Sequence, residues 1–317
     1  MAKEAHEIEW SRAQEIVLSV DLVKAAKQQL RFLAVVDSIH CLHDGPALHH
    51  AIYRYEHCWL PLLAKHMESP VNTEPLVVPL DCEWIWHCHR LNPVQYKIDC
   101  EEIYGRILDN KNVLSTTEGT CTGETQKLWN HMYPTEPYHF EQNCHPLRTA
   151  NSPNMWPHTS IKYDLVAAVK RQSPFFRKVS KSVFNNDHYL GEGVARYKAF
   201  LHLVKRNEER SVPTYDIDLM WHSHQLNPLS YCEDLTAIFG GILDHNDHIS
   251  DNPVNNKHKI GLAQTTKLWE DTYGQKYLIA GALLKDDDLA ARCSCYCIIG
   301  IKRCDSECSQ AVTLCAK

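Results

Sequence analysis

"DIDLMWHSHQLNPLSY", residues 216–231, places His222 and His224 two positions apart, behind Trp221 and ahead of Asn227-Pro228. The block occurs earlier as "DCEWIWHCHRLNPVQY" (81–96), where His87 and His89 stand in the same places. Working outward, "DLVKAAKQQLRFL" (21–33) returns as "DLVAAVKRQSPFF" (164–176), and "RYEHCWLPLL" (54–63) is echoed by "RYKAFLHLV" (196–204). "YGRILDN" (104–110) answers "FGGILDH" (239–245), and "TQKLWNHMY" (125–133) answers "TTKLWEDTY" (265–273). Five matched blocks in one order mark an internal duplication, and such periodicity outranks any local signal in deciding the fold. The division that follows is a lead-in helix over 1–20, a first module over 21–140, a linker over 141–163, a second module over 164–280 and a cysteine-rich tail over 281–317.

Within each module the pattern is helical. Asp164 precedes Leu165, Val166 and Val169, an N-cap followed by an apolar stripe at helical spacing. Val194, Tyr197, Leu201 and Val204 form a second stripe. Asn92-Pro93 and Asn227-Pro228 read as N-cap plus first-turn proline, where the missing N–H costs nothing. The helices they open run to Gly105 and Gly240, natural terminators. The segment before each Asn-Pro is ambiguous by periodicity. As a strand it would put Asp216, Asp218, His222 and His224 on one face; as a helix it would pair Asp218 with His222 and turn His224 nearly opposite. The helical surroundings favour helix. The expected fold is mainly α, two tandem helical pseudo-repeats with at most minor short strands.

Composition narrows the function classes. A 44% apolar and 23% charged chain is ordinary for a folded globular protein. The net charge of −6 and the mixed signs of "LVKRNEER" (203–210) give no nucleic-acid signature. No stretch is long and apolar enough for a membrane helix, and the N-terminus lacks a signal core, so the expectation is a cytoplasmic protein, or one shared with the nucleus. Most of its 14 cysteines then read as reduced thiols. The last six, Cys293, Cys295, Cys297, Cys304, Cys308 and Cys315, lack the paired spacing of structural zinc sites; Cys-x-Cys runs suit Zn or Cu(I) or lipid attachment, and an unstructured tail accounts for them equally. The histidine-rich stretch "HCLHDGPALHHAI" (40–52) reads as an exposed loop. Phosphate-loop, dinucleotide and Gly-x-Ser-x-Gly motifs are all missing.

"PLDCEWIWHCHRLNPVQYKIDCEEIYGRILDN" (79–110) and "VPTYDIDLMWHSHQLNPLSYCEDL" (212–235), supported by "DLVAAVKRQSPFF" and "VARYKAFLHLVKRN", resemble the plant glycine-rich domain-containing proteins. The resemblance covers about 20–280. It implies a regulatory or interaction protein with protein partners, associated with abscisic-acid and osmotic-stress responses, growth and defence, and no settled enzymatic activity. Longer members add an RNA-binding-like segment and a glycine-rich tail; with 12 glycines and no such tract, this sequence departs from that pattern.

The histidines support three readings. His222 and His224, with Asp218 and with His245 from "LDHNDH" (where Asp247 and His248 follow), could ligate a metal; His87, His89 and Glu83 are the first-module set, beside Asp81, with Asp216 the matching acid in the second. Two histidines and one carboxylate suit Zn or non-haem Fe with an open position, and so a metal-dependent enzyme. Alternatively Trp-His-x-His-x-Leu-Asn-Pro is a structural corner, its imidazoles hydrogen-bonded to carboxylates one turn back. Metal-free acid–base catalysis is the third.

Overall fold

The computed structural model describes residues 2–68, 74–119, 123–140, 161–207, 211–245 and 256–279. Most of the linker, the cysteine-rich tail, Asp247 and His248 lie outside the described residues. After α1 (Ala2–Gln14), the first module runs α2 (Leu22–Asp37), α3 (Pro46–Arg54), α4 (Leu60–Glu68), α5 (Leu80–Arg90), α6 (Pro93–Tyr104) and α7 (Gly123–Met132). The second runs α8 (Leu165–Val179), α9 (Asp187–Asn207), α10 (Tyr215–Gln225), α11 (Pro228–Phe239) and α12 (Asn256–Tyr273). The chain is therefore mainly α, with two tandem versions of one helical plan. Two strands, β1 (Leu76–Val77) and β2 (Val113–Leu114), pair in parallel, Leu76 facing Val113.

The punctuation residues act as their chemistry requires. Asp21 and Asp164 accept from Lys24 N and Ala167 N, capping α2 and α8. Pro93 and Pro228 sit in the first turns of α6 and α11, and both helices end on a left-handed glycine, Gly105 (φ 71°) and Gly240 (φ 77°), where a Cβ would be strained. The WHxH segments are helices α5 and α10. One expectation is corrected: 40–52 is not a loop, since His40–Leu42 forms a 3₁₀ turn and α3 begins at Pro46. Pro46 presets the first helical turn, and Leu48, Ala51 and Tyr55 recur at the spacing that buries one face. A π-helical turn, Tyr55–Trp59, then joins α3 to α4.

Two apolar cores hold the molecule, and α2 and α8 belong to both. Phe32, Leu33 and Val36 of α2 lie in the first core, while Leu22 and Ala26 of the same helix lie in the second. Helix α8 does the reverse, with Leu165, Ala168 and Val169 in the first core and Phe175 and Val179 in the second. Pro174, which cannot donate to the helical ladder, falls between the two sets. Each module's opening helix thus packs on the other's histidine helix, α2 on α10 and α8 on α5.

A buried cation anchors each module. Arg54 Nε donates to Asp81 Oδ2 at 2.6 Å, Arg54 Nη2 donates to Tyr138 O, and the guanidinium lies 4.8 Å from the Trp129 ring. In the second module Arg196 Nε donates to Asp216 Oδ2 at 2.5 Å and Nη2 to Tyr277 O, over Trp269 at 5.0 Å. Arg54 and Asp81 are 1% and 0% exposed, so neither charge could go unpaired cheaply. These contacts fix the first turn of each histidine helix against the chain segment that closes its module. We expect Arg196→Met to cost about 3–5 kcal/mol by leaving Asp216 charged and buried, and Arg196→Met with Asp216→Leu to recover most of that loss, read by urea denaturation.

Candidate functional site

An α-helix advances about 100° per residue, so the two histidines of each block leave the helix on opposite sides. The second histidine turns into its own module. His89 Nε2 lies 3.2 Å from Asp99 Oδ2, and its Nδ1 lies 2.9 Å from the Tyr55 hydroxyl. His224 repeats this with Asp234 Oδ2 at 3.1 Å and the Tyr197 hydroxyl at 3.1 Å. Burial pushes both imidazoles below their usual pKa, outweighing their carboxylate partners. Burial raises Asp99 and Asp234, but the histidine hydrogen bonds together with those from Gln95 to Asp99 and from Ser19 to Asp234 hold both below the usual carboxylate range. A neutral ring facing an ionised carboxylate donates from Nε2, so Nδ1 accepts from the tyrosine. This Tyr–His–Asp relay ties α5 to α6 and α10 to α11. His89 and His224, proposed as ligands on sequence, are instead committed to these relays.

The first histidine faces the junction between modules. His222 packs on Phe175 at 4.3 Å between ring centroids, and His87 on Phe32 at 5.6 Å, each aromatic supplied by the opening helix of the same module. Around His222 the structure assembles three potential metal donors. His245 Nε2 lies 2.9 Å from Asp218 Oδ1, His222 Nε2 lies 3.7 Å from the same oxygen, and one donor atom from each residue falls within 4.8 Å of the others. All three side chains are buried. Asp218 and His222 share a face of α10 at i, i+4, and His245 arrives from beyond α11, past the Gly240 turn. Two donors each about 2.05 Å from a tetrahedral zinc would be about 3.3 Å apart, a value that 2.9 and 3.7 Å bracket. The widest separation must close by roughly 1.5 Å for the same geometry.

The first module lacks this cluster. Asn110 stands where His245 stands and donates from Nδ2 to Asn227 Oδ1 across the junction. Glu83 does not pair with His87; its Oε2 accepts from Thr116 N at 2.8 Å, and burial lifts its carboxyl to about 7. Burial, then the nearby charge of Arg90, drives His87 well below its usual pKa. Sequence reasoning missed the relay partners Asp99, Asp234, Tyr55 and Tyr197, although each pair occupies matching repeat positions. It also missed Arg90, whose counterpart is Gln225.

A family model described as glycine-rich domain-containing protein-like matches residues 2–99 and 95–234. Glycine-rich domain-containing protein 1 of Arabidopsis thaliana is 53% identical over 284 residues, covering 88% of this chain and 35% of the relative. Glycine-rich domain-containing protein 2 of the same plant is 54% identical over 282 residues, covering 87% and 36%. The chain thus spans about a third of the length of these curated relatives. No solved structure matches it.

Glu83 gives a pH test of this geometry. Its pKa is higher folded than unfolded, so the folded state binds the extra proton and loses stability as pH rises from about 4.5 through 7. Glu83→Gln should therefore match the parent chain near pH 4 and exceed it by about 2–3 kcal/mol above pH 8, measured by denaturation across pH. A difference that does not vary with pH would contradict the assignment.

Proposed function

Because this chain belongs to the glycine-rich domain-containing protein-like family, we propose that it is a metal-binding interaction protein of plant stress and growth signalling. In this reading it acts through protein partners in the cytoplasm or nucleus, in abscisic-acid and osmotic responses, as its family resemblance implies. The units over 21–140 and 164–280 are its two modules. Asp218, His222 and His245 hold one Zn or Fe ion, and the ion ties α10 to the segment after α11.

The observation that carries the metal reading is the convergence itself. Among the described residues this is the one group in which three histidine, cysteine or acidic side chains bring donor atoms within 4.8 Å of one another. Its donors come from two separate segments and are enclosed by Trp221 and Phe175, with the Trp221 and His245 ring centroids 4.5 Å apart. Such a pocket favours a bound ion over a hydrated one. Two imidazoles and a carboxylate are also the donor set of metal enzymes that keep coordination positions open. That donor set favours, as a second reading, hydrolytic or oxygenase chemistry at the same ion.

Elemental analysis of the purified full chain, reconstituted with Zn(II) or anaerobically with Fe(II), should find about one tightly held ion. His245→Ala and Asp218→Asn should lose it, whereas His224→Ala should retain it while costing about 1–3 kcal/mol of stability from its broken relay. Absence of metal after reconstitution, or full retention in both ligand variants, would refute the site. Turnover by the loaded protein would favour the enzymatic reading over the scaffold.

A further inference from the structure

The first module's copy of the metal site has become something else. Glu83, His87 and Asn110 occupy the positions of Asp218, His222 and His245, and all three line one crevice of about 140 Å³ between the modules. Gln29 and Phe32 of α2 and Arg90 of α5 line it too, with Ser223 and Asn227 contributed by the second module. Two replacements change its charge preference. Asn110 removes the second nitrogen, the third donor, that a cation would need. Arg90, against Gln225 in the second module, adds a guanidinium beside His87. The proposed cation site of the second module thus has a counterpart that carries a guanidinium.

What the crevice offers is donors. Arg90 is fixed by stacking on Trp86 at 4.0 Å and by donation from Nη1 to Leu226 O, at 6% exposure. Gln29, 3% exposed, accepts from Ser223 Oγ through Oε1 at 2.9 Å, while its Nε2 is buried with no hydrogen-bond partner in the protein. His87, 2% exposed, likewise has Nε2 buried and unpartnered. A buried polar group left unsatisfied costs about 1–3 kcal/mol, so an occupant bringing acceptor atoms is favoured. The volume suits on the order of ten water-sized groups, room for a molecule of a few heavy atoms with its apolar part against Phe32.

We propose that this crevice binds a small organic carboxylate, its oxygens taken by the donors of Arg90, Gln29 and His87. A planar guanidinium matches a carboxylate's two oxygens better than any other side chain. The amide of Gln29 reaches the site from α2, which also packs on α10, so an occupant would bridge α2 and α5 of the first module beside that contact. Of the two acids in the lining, Glu83 has its Oε2 engaged by Thr116 N, and Glu118 is paired with Arg31 and accepts from Gln28.

Isothermal titration of the full chain in EDTA, with acetate, propionate and glycolate as probes and acetamide, propionamide and glycolamide as uncharged controls, tests this. At least one carboxylate should bind saturably at one per chain, about tenfold or more tighter than its amide, as loss of a charge-assisted pair would give. Gln29→Leu, which removes the orphan amide without adding bulk, should weaken binding about fivefold or more, and Arg90→Gln should abolish it. Should Arg90→Gln fail to fold, the acid–amide comparison on the parent chain and Gln29→Leu still decide. No saturable binding, equal binding of acids and amides, or binding unchanged in Gln29→Leu would overturn the proposal. Asp218→Asn should leave carboxylate binding intact, so this site and the metal centre stand or fall separately.

Discussion

The helical pitch of the WHxH segment governs the rest of the architecture. Two histidines two residues apart on an α-helix point roughly 200° from each other, and no rotamer choice brings both to one ion. One therefore faces its own module and the other faces outward. The inward partner is consumed by the Tyr–His–Asp relay that locks the helix after the Asn-Pro corner. The outward partner needs a cover, which begins with its own module's opening helix, Phe32 of α2 on His87 and Phe175 of α8 on His222. The buried Arg54–Asp81 and Arg196–Asp216 pairs then hold the start of each histidine helix so that this division of faces is kept.

The packing of α2 on α10 and of α8 on α5 gives duplication a physical purpose. A single module would leave open the face of its histidine helix that the other module's opening helix covers, as Gln29 of α2 covers the buried Ser223 of α10. In the second module the contact includes a polar tie, Ser223 Oγ to Gln29 Oε1, so the junction is not merely a greasy seam. Disturbing one module's opening helix must therefore reach the other module's core. The two proposed sites lie along this seam.

The two modules have kept the frame and divided the chemistry. The Arg–Asp anchor, the Trp–Tyr–carbonyl chains (Trp86 to Tyr96 to Leu108 O, Trp221 to Tyr231 to Leu243 O) and the relays are duplicated almost atom for atom. The differences gather at the outward face, where Asn110 stands against His245, Arg90 against Gln225 and Cys88 against Ser223. A repeated residue is thus a poor guide to the special site, and an unrepeated one a better guide. His245 lies in a matched block but breaks the match at its last letter, and it is the residue that completes the cluster.

The sequence by itself determined the duplication, the helical class, the caps at Asp164 and Asn92, the glycine stops, and the pairing of Asp218 with His222; Asn227 holds the cap position, but its side chain bonds Ser223 O and Asn110 instead. These are local matters, governed by chain geometry over a turn or two. It also named His245 as a possible third donor, because the copy lacks it. Only the tertiary structure decided that His224 and His89 are relay members, since Asp99 and Asp234 sit a helix away and nothing local says which side of α5 or α10 they will meet. It alone turned Glu83 toward Thr116, made α3 a helix within the histidine-rich stretch, and exchanged α2 with α8. Those outcomes depend on which apolar faces bury each other across long sequence separations, a competition that no pattern within one segment can express.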